Sequence, residues 1–241
     1  MYRILASSDE VRERRAQLTH PPYARPELLA EKPNELHSWD ITKLKGPAKW
    51  TSYYLYVILD VFSRYAVGWT VQHREDSHVA KALIAQVCDQ QQIQSGQLTV
   101  HADRGSSMTS KPVAFLLADL GVTKTHTGRT HPATTRTQRR SSKRSSTGPD
   151  SRPVCSIEHA RAFCRRFFDY YNNHHRHCGI ELMTPATVHH GHAQETHAAR
   201  SHVLDAAYQA TPERFVHRPP RPPALPTAAW INKPNNEEAQ A

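Results

Sequence analysis

The stretch Glu35–Trp69, ELHSWDITKLKGPAKWTSYYLYVILDVFSRYAVGW, decides the fold. Leu36–Leu44 alternates apolar and polar residues, the pattern of a strand with one buried face. Ser52–Leu59 and Tyr65–Gln72 are rich in Tyr, Val, Ile and Trp, which fit a pleated, half-buried surface. Asp60, Ser63 and Arg64 between them read as a turn pairing locally. The result is three antiparallel strands with Asp40 on the first. A carboxylate inside a β run is disfavoured unless something satisfies it, and two partners serve: a metal, or a loop amide.

Working outward, Ser77–Gln90 places Val79, Ala82, Leu83 and Val87 at helical spacing behind a Ser N-cap. Gln97–His101 is a fourth strand, ending just before Asp103 in VHADRGSSMT. Asp103 is a second candidate metal ligand; its other reading is a turn or helix-capping residue. Lys111–Leu120 is a second helix, stopped at Gly121, and Val122–Thr125 is a fifth strand. The order βββαβαβ predicts an α/β fold with a mixed sheet.

From Thr127 to Pro153 there is no large apolar residue, and the composition is that of a loop or disordered segment. Periodicity returns with Ser156 as N-cap and Ile157, Ala160, Phe163, Phe167, Phe168 and Tyr171 on a long helix. His189–His202 reads as a further helix and the Pro-rich chain beyond Thr211 as an extended tail. At the other end, Glu10–Leu18 reads as a short helix and the prolines from Pro21 to Pro33 as an extended arm. The domain reading is therefore an arm over 1–33, a core over 34–193 and a tail over 194–241.

A net charge of +9 invites a nucleic-acid partner. The charge is concentrated, however: Thr127–Cys155 carries Arg129, Arg136, Arg139, Arg140, Lys143, Arg144 and Arg152 against Asp150 alone. The rest of the chain is only mildly basic. Cys88, Cys155, Cys164 and Cys178 lack metal-type spacing. His174, His175 and His177 with Cys178 make a poor zinc set, because neighbouring residues on a helix point in different directions. With no signal peptide and no apolar run long enough to span a bilayer, the expectation is a soluble, cytoplasmic protein without a membrane partner.

Four segments, SWDITKLKGPAKW, YLYVILDVFSRYAVGW, VHADRGSSMTS and FFDYYNNHHRHCGIELMTPATVHHG, together with the arm THPPYARPELLA and the tail LPTAAWIN, resemble the second-frame transposases of bacterial insertion sequences. The core of that family is similar to retroviral integrase. The resemblance implies an RNase H-like mixed five-stranded sheet with flanking helices and a triad of two aspartates and a glutamate. Asp40 matches the first aspartate and Asp103 the second, as catalytic residues and as ligands of Mg²⁺ or Mn²⁺. The implied activity is DNA integration and strand transfer, with transposon ends and target DNA as partners, a homo-oligomeric assembly and a nucleoid-associated location. Such chemistry needs several oxygen ligands to hold hard cations for in-line attack on a phosphodiester.

The third ligand is missing. At the position of the family's glutamate stands Arg139, and no Glu occurs between Asp103 and Glu158. Thr134–Thr147, written in permitted codons and read from each third base, spells NPYSEAQFKTLKYR, which looks like the missing motif; its glutamate codon straddles Gln138 and Arg139. The expectation is that Thr127 to about Cys155 is translated out of frame, that the glutamate helix is lost or disordered, and that this copy is catalytically defective. Two alternatives stand beside it. One is a non-catalytic DNA-binding remnant that regulates intact transposase. The other is a metal-dependent nuclease drawing its third carboxylate from Glu181 or Asp169.

Overall fold

A computed structural model describes residues 26–102, 110–126, 154–215 and 218–234. The short helix expected at Glu10–Leu18, Asp103 and almost all of the segment from Thr127 to Cys155 lie outside the described residues.

Among the described residues seven strands and five α-helices follow in chain order: β1 Leu28–Ala30, β2 Leu36–Lys45, β3 Ser52–Asp60, β4 Ala66–Gln72, α1 Ser77–Gln90, β5 Thr99–Ala102, α2 Lys111–Asp119, β6 Thr123–His126, α3 Ile157–Asn173, α4 Pro185–His189, α5 Ala193–Ala210 and β7 Ala229–Ile231. The central sheet has the order β4-β3-β2-β5-β6. β4, β3 and β2 are antiparallel, whereas β2, β5 and β6 are parallel, as crossovers through helices require. The fold is thus mixed α/β with a five-stranded mixed sheet and flanking helices.

One face of the sheet is covered by α1 and α2. Helix α1 buries Ala80, Leu83, Ile84, Val87 and Cys88, an apolar stripe at helical spacing. These side chains join Trp39, Tyr56, Ile58, Val100 and Ala102 of the sheet in the largest core cluster. Trp39 and Tyr56 meet edge to face, with ring centroids 5.8 Å apart. Gly68 lets α1 approach β4: a methyl group there would overlap the Val87 side chain. The cap of α1 is Asp76 rather than the expected Ser77; its carboxylate accepts from His78 N–H at 2.8 Å. As N-cap, the Asp76 carboxylate accepts from the N–H two residues on, one of the orphan donors of the first turn.

The opposite face is covered over β3 and β4 by α3, whose Ile157, Ala160, Cys164 and Phe168 pack on Leu55, Val57, Ala66, Trp69 and Val71. Ser156 caps α3 as the sequence predicts, accepting from His159 N–H at 3.1 Å. Because β4 is an edge strand, its free backbone groups need partners. Asn172 supplies them to Ala66, accepting at 2.9 Å and donating at 3.2 Å, and Arg161 donates twice to the carbonyl of Val71.

The C-terminal part differs from the extended tail expected from composition. Pro185 opens a short helix capped by Thr184, and the helix expected at His189–His202 runs as α5 from Ala193 to Ala210. Beyond it, β7 pairs antiparallel with β1, so residues of the expected arm and the expected tail form one two-stranded sheet. Proline at the first helical position costs no hydrogen bond, which is why it starts α4.

Candidate functional site

Asp40 lies on β2 with its side chain exposed. Its Oδ2 accepts from Thr42 Oγ1 at 2.9 Å, the next residue on the same face. Across the antiparallel pair it faces Val57. On the other side, the parallel register pairs Ser38 with His101 and Trp39 with Ala102. The next residue of β2 is Asp40, and the residue after Ala102 is Asp103, which is outside the described residues.

Around Asp40 the sheet face is polar. Ser38 and Thr42 on β2, Thr99 and His101 on β5, and Thr123 and Thr125 on β6 share it by strand alternation and register. His101 Nδ1 lies 2.9 Å from Thr125 Oγ1. This half of the sheet contrasts with the β3–β4 half, where the same face carries Leu55, Val57, Leu59 and Trp69 under α3.

The donor chemistry at Asp40, an exposed carboxylate among hydroxyl groups, suits a hard cation. It is one carboxylate, though, and among the described residues no three His, Cys, Asp or Glu side chains converge on a possible metal position. Asp169 is on the exposed side of α3 and accepts from Asn173 Nδ2 at 2.9 Å. Glu181 sits in a left-handed turn whose carbonyl accepts from Arg200 Nη1 at 2.8 Å. Among the described residues neither belongs with Asp40 to a group of three His, Cys, Asp or Glu side chains. His174, His175 and His177 are likewise not gathered on a common point; His175 stacks on Tyr171 with centroids 5.6 Å apart, and His177 Nδ1 accepts from Gly179 N–H.

A second polar centre was not legible in the sequence. Asp60, read as a turn residue with local partners, is fully buried. Its local partner is Ser63, whose N–H and Oγ–H donate to Oδ1 at 2.7 and 2.6 Å. Oδ2 accepts from Asn34 N–H at 2.8 Å. Two buried histidines flank it: His37 Nε2 at 3.8 Å and His189 Nδ1 at 4.0 Å. His37 Nε2 donates to Asn34 Oδ1 at 3.2 Å, and His189 Nδ1 lies 3.0 Å from Ser63 Oγ. Burial pushes the His37 imidazole down to about 4, against the opposing pull of Asp60. Burial lowers His189 as well, again opposed by Asp60. The centre joins β2, the β3–β4 turn and α4. A buried Asp after an apolar run was the available signal; nothing in the local sequence marks His189 as its neighbour.

Residues 30–132 match the family model of the integrase core domain. The transposase for insertion sequence element IS904 of Lactococcus lactis subsp. lactis strain IL1403 is 28% identical over 173 residues, covering 70% of this chain and 67% of that protein. Among solved structures, a chain of the simian T-cell lymphotropic virus intasome in complex with PP2A regulatory subunit B56 gamma aligns with 22% identity and a TM-score of 0.47, over 71% of this chain and 60% of that one. The HTLV-2 integrase catalytic core domain in complex with magnesium aligns with 15% identity and a TM-score of 0.44, over 66% of this chain and 98% of that one. The chain is thus similar to an integrase core domain over residues 30–132 and to this transposase over 173 residues. No helix among the described residues is long and apolar enough to cross a membrane.

Proposed function

We propose that this chain is the RNase H-like core of an insertion-sequence transposase, acting on transposon ends and target DNA in the nucleoid as a homo-oligomer, and that this copy has lost strand transfer. The observation that carries the reading is the parallel register. Trp39 pairs with Ala102, and the next residue on each side is an aspartate, Asp40 and Asp103. Asp103 lies outside the described residues, and its sharing of metal ions with Asp40 is what the family resemblance implies.

Asp40 and Asp103 would hold Mg²⁺ or Mn²⁺. When bound, the metal supplies Lewis-acid stabilisation of charge at the phosphodiester. Asp40 brings an exposed oxygen pair, with Thr42 hydrogen-bonded to it, beside a sheet face of hydroxyl groups and His101. The chain has no Glu to complete the set where the family places one, and Arg139 there brings the wrong charge. The out-of-frame reading of Thr127 to about Cys155 accounts for both the missing glutamate and the run of basic residues. In this reading the core spans 34–193, with 1–33 and 194–241 as arm and tail.

Two measurements test the proposal. The coding DNA of residues 120 to 160 is expected to encode NPYSEAQFKTLKYR in a second frame across Thr134–Thr147; any other nucleotide sequence there removes the frame argument. The purified chain, supplied with the ends of its own element and Mg²⁺, is expected to yield no nicked or joined product. Product formation by the wild-type chain, abolished by Asp103→Ala, would restore it to the active enzymes and overturn the defect.

A further inference from the structure

The hairpin joining β2 to β3 has features that the sheet does not need. Trp50 at its tip is 92% exposed, although tryptophan is among the more buried residue types on average. Its backbone is left-handed, with φ +71°, a conformation bulky residues rarely adopt and one that turns attention to function. The turn that imposes it is over-determined. Gly46 N–H donates to the Thr51 carbonyl at 3.0 Å, Thr51 N–H to the Ala48 carbonyl at 3.1 Å, and Thr51 Oγ1 to the same carbonyl at 2.7 Å. The tip is therefore held in place with its indole in solvent.

Lysines surround it. Lys43, Lys45 and Lys49 are exposed, and none forms an ion pair with a described residue. No acidic residue lies between Asp40 and Asp60. Lys49 Nζ stands 5.6 Å from the Trp50 ring and Lys43 Nζ 5.5 Å from the ring of Tyr54, its cross-strand partner. The patch thus couples ammonium groups to aromatic faces, the pairing that grips a phosphate and the base attached to it. At a strand rise of about 3.3 Å per residue, the tip lies roughly 20 Å along β2 from Asp40. It is a separate surface, and Lys43 and Lys45 project from the sheet face opposite to Asp40.

We propose that the β2–β3 hairpin is a DNA-holding tip, in which Lys43, Lys45 and Lys49 follow the backbone phosphates and Trp50 stacks on an unpaired base flanking the duplex. The proposal rests on the reading of DNA as this chain's partner. A protein partner would use Trp50 as an apolar anchor and leave the three lysines without a role.

The test is fluorescence anisotropy of the full chain with a labelled single strand and a labelled blunt duplex, over a salt series. Trp50→Ala is expected to weaken single-strand binding about tenfold and duplex binding less than about twofold, while Trp50→Phe keeps most of the affinity. Replacing Lys43, Lys45 and Lys49 together by Gln is expected to weaken both and to flatten the salt dependence by about two to three units of log–log slope. Circular dichroism checks that each variant is folded. If the wild type binds DNA and these folded variants bind equally well, the hairpin is overturned while the transposase reading stands. If Trp50→Ala weakens both DNAs alike, the stacking role is overturned. If the wild type binds neither DNA at low salt, both readings fall.

Discussion

Asp40 and Asp60 lie on neighbouring strands of one sheet, yet the sheet treats them in opposite ways. Asp60 faces His37 across the β2–β3 pair and is fully buried, its oxygens taking hydrogen bonds from Asn34 N–H, Ser63 N–H and Ser63 Oγ. Asp40 faces Val57, is exposed, and among the described residues takes a single side-chain hydrogen bond, from Thr42. A carboxylate with several fixed donors in a dry site is part of the fold. One left on an open polar face is free to serve a ligand. The largest expected effect follows from this contrast. Asp60→Ala strands the Ser63 hydroxyl, two backbone N–H groups and the flanking histidines, so it should lower unfolding free energy by about 3 kcal/mol or more. Chemical denaturation measures this; a loss below about 1 kcal/mol would mean the buried centre does not hold β2, the β3–β4 turn and α4 together.

The same centre should make the protein acid-sensitive. The folded His37 titrates at about 4 because burial disfavours its charge, whereas an unfolded histidine titrates near 6.5. Between those values the unfolded chain binds the extra proton, so stability rises with pH there. His37 neither gains nor costs stability above about pH 6.5. As pH falls from there to about 4 it should cost roughly 3 kcal/mol. His37→Asn should flatten that limb of a stability–pH curve. An unchanged slope would show that folding does not shift the His37 pKa, and a steeper loss on acidification would mark a charged His37 paired with Asp60.

These two centres were unequally legible. The sheet was readable because alternation in Leu36–Leu44 and β-rich runs after it are local signals, and the structure places β2, β3 and β4 within a residue or two of them. Asp40 was readable because a charge in a strand is conspicuous. Asp60 was misjudged as merely local, since its decisive neighbour, His189, is 126 positions from Ser63 and joins it only through the packing of α4. Likewise the two-stranded β1–β7 sheet pairs short segments that Pro-rich flanks disguise as linkers. Contacts between distant segments leave no periodicity to read. The motif resemblance reached further than the periodicity, since it implied a pairing of Asp40 with Asp103, a residue outside the described ones.

The smallest expected effect on stability is at Asp40, and for that reason it is the sharpest use of the comparison. Asp40→Asn keeps the size of the side chain and its hydrogen bond with Thr42, removes no buried contact, and should change unfolding free energy by less than about 0.5 kcal/mol. Loss of the charge should still weaken Mg²⁺ or Mn²⁺ binding strongly, because a hard cation depends on anionic oxygen. Calorimetric titration of both variants separates the two aspartates. Asp60→Asn should cost stability and, wherever the chain remains folded, leave metal affinity near wild type. Asp40→Asn should do the reverse. If Asp40→Asn proves as destabilising as Asp60→Asn, then Asp40 is a structural residue and the polar face around it is not a binding site. If it alters neither stability nor metal affinity, the carboxylate has no ligand, and the chain falls back to a DNA-binding remnant that leaves Asp40 unused.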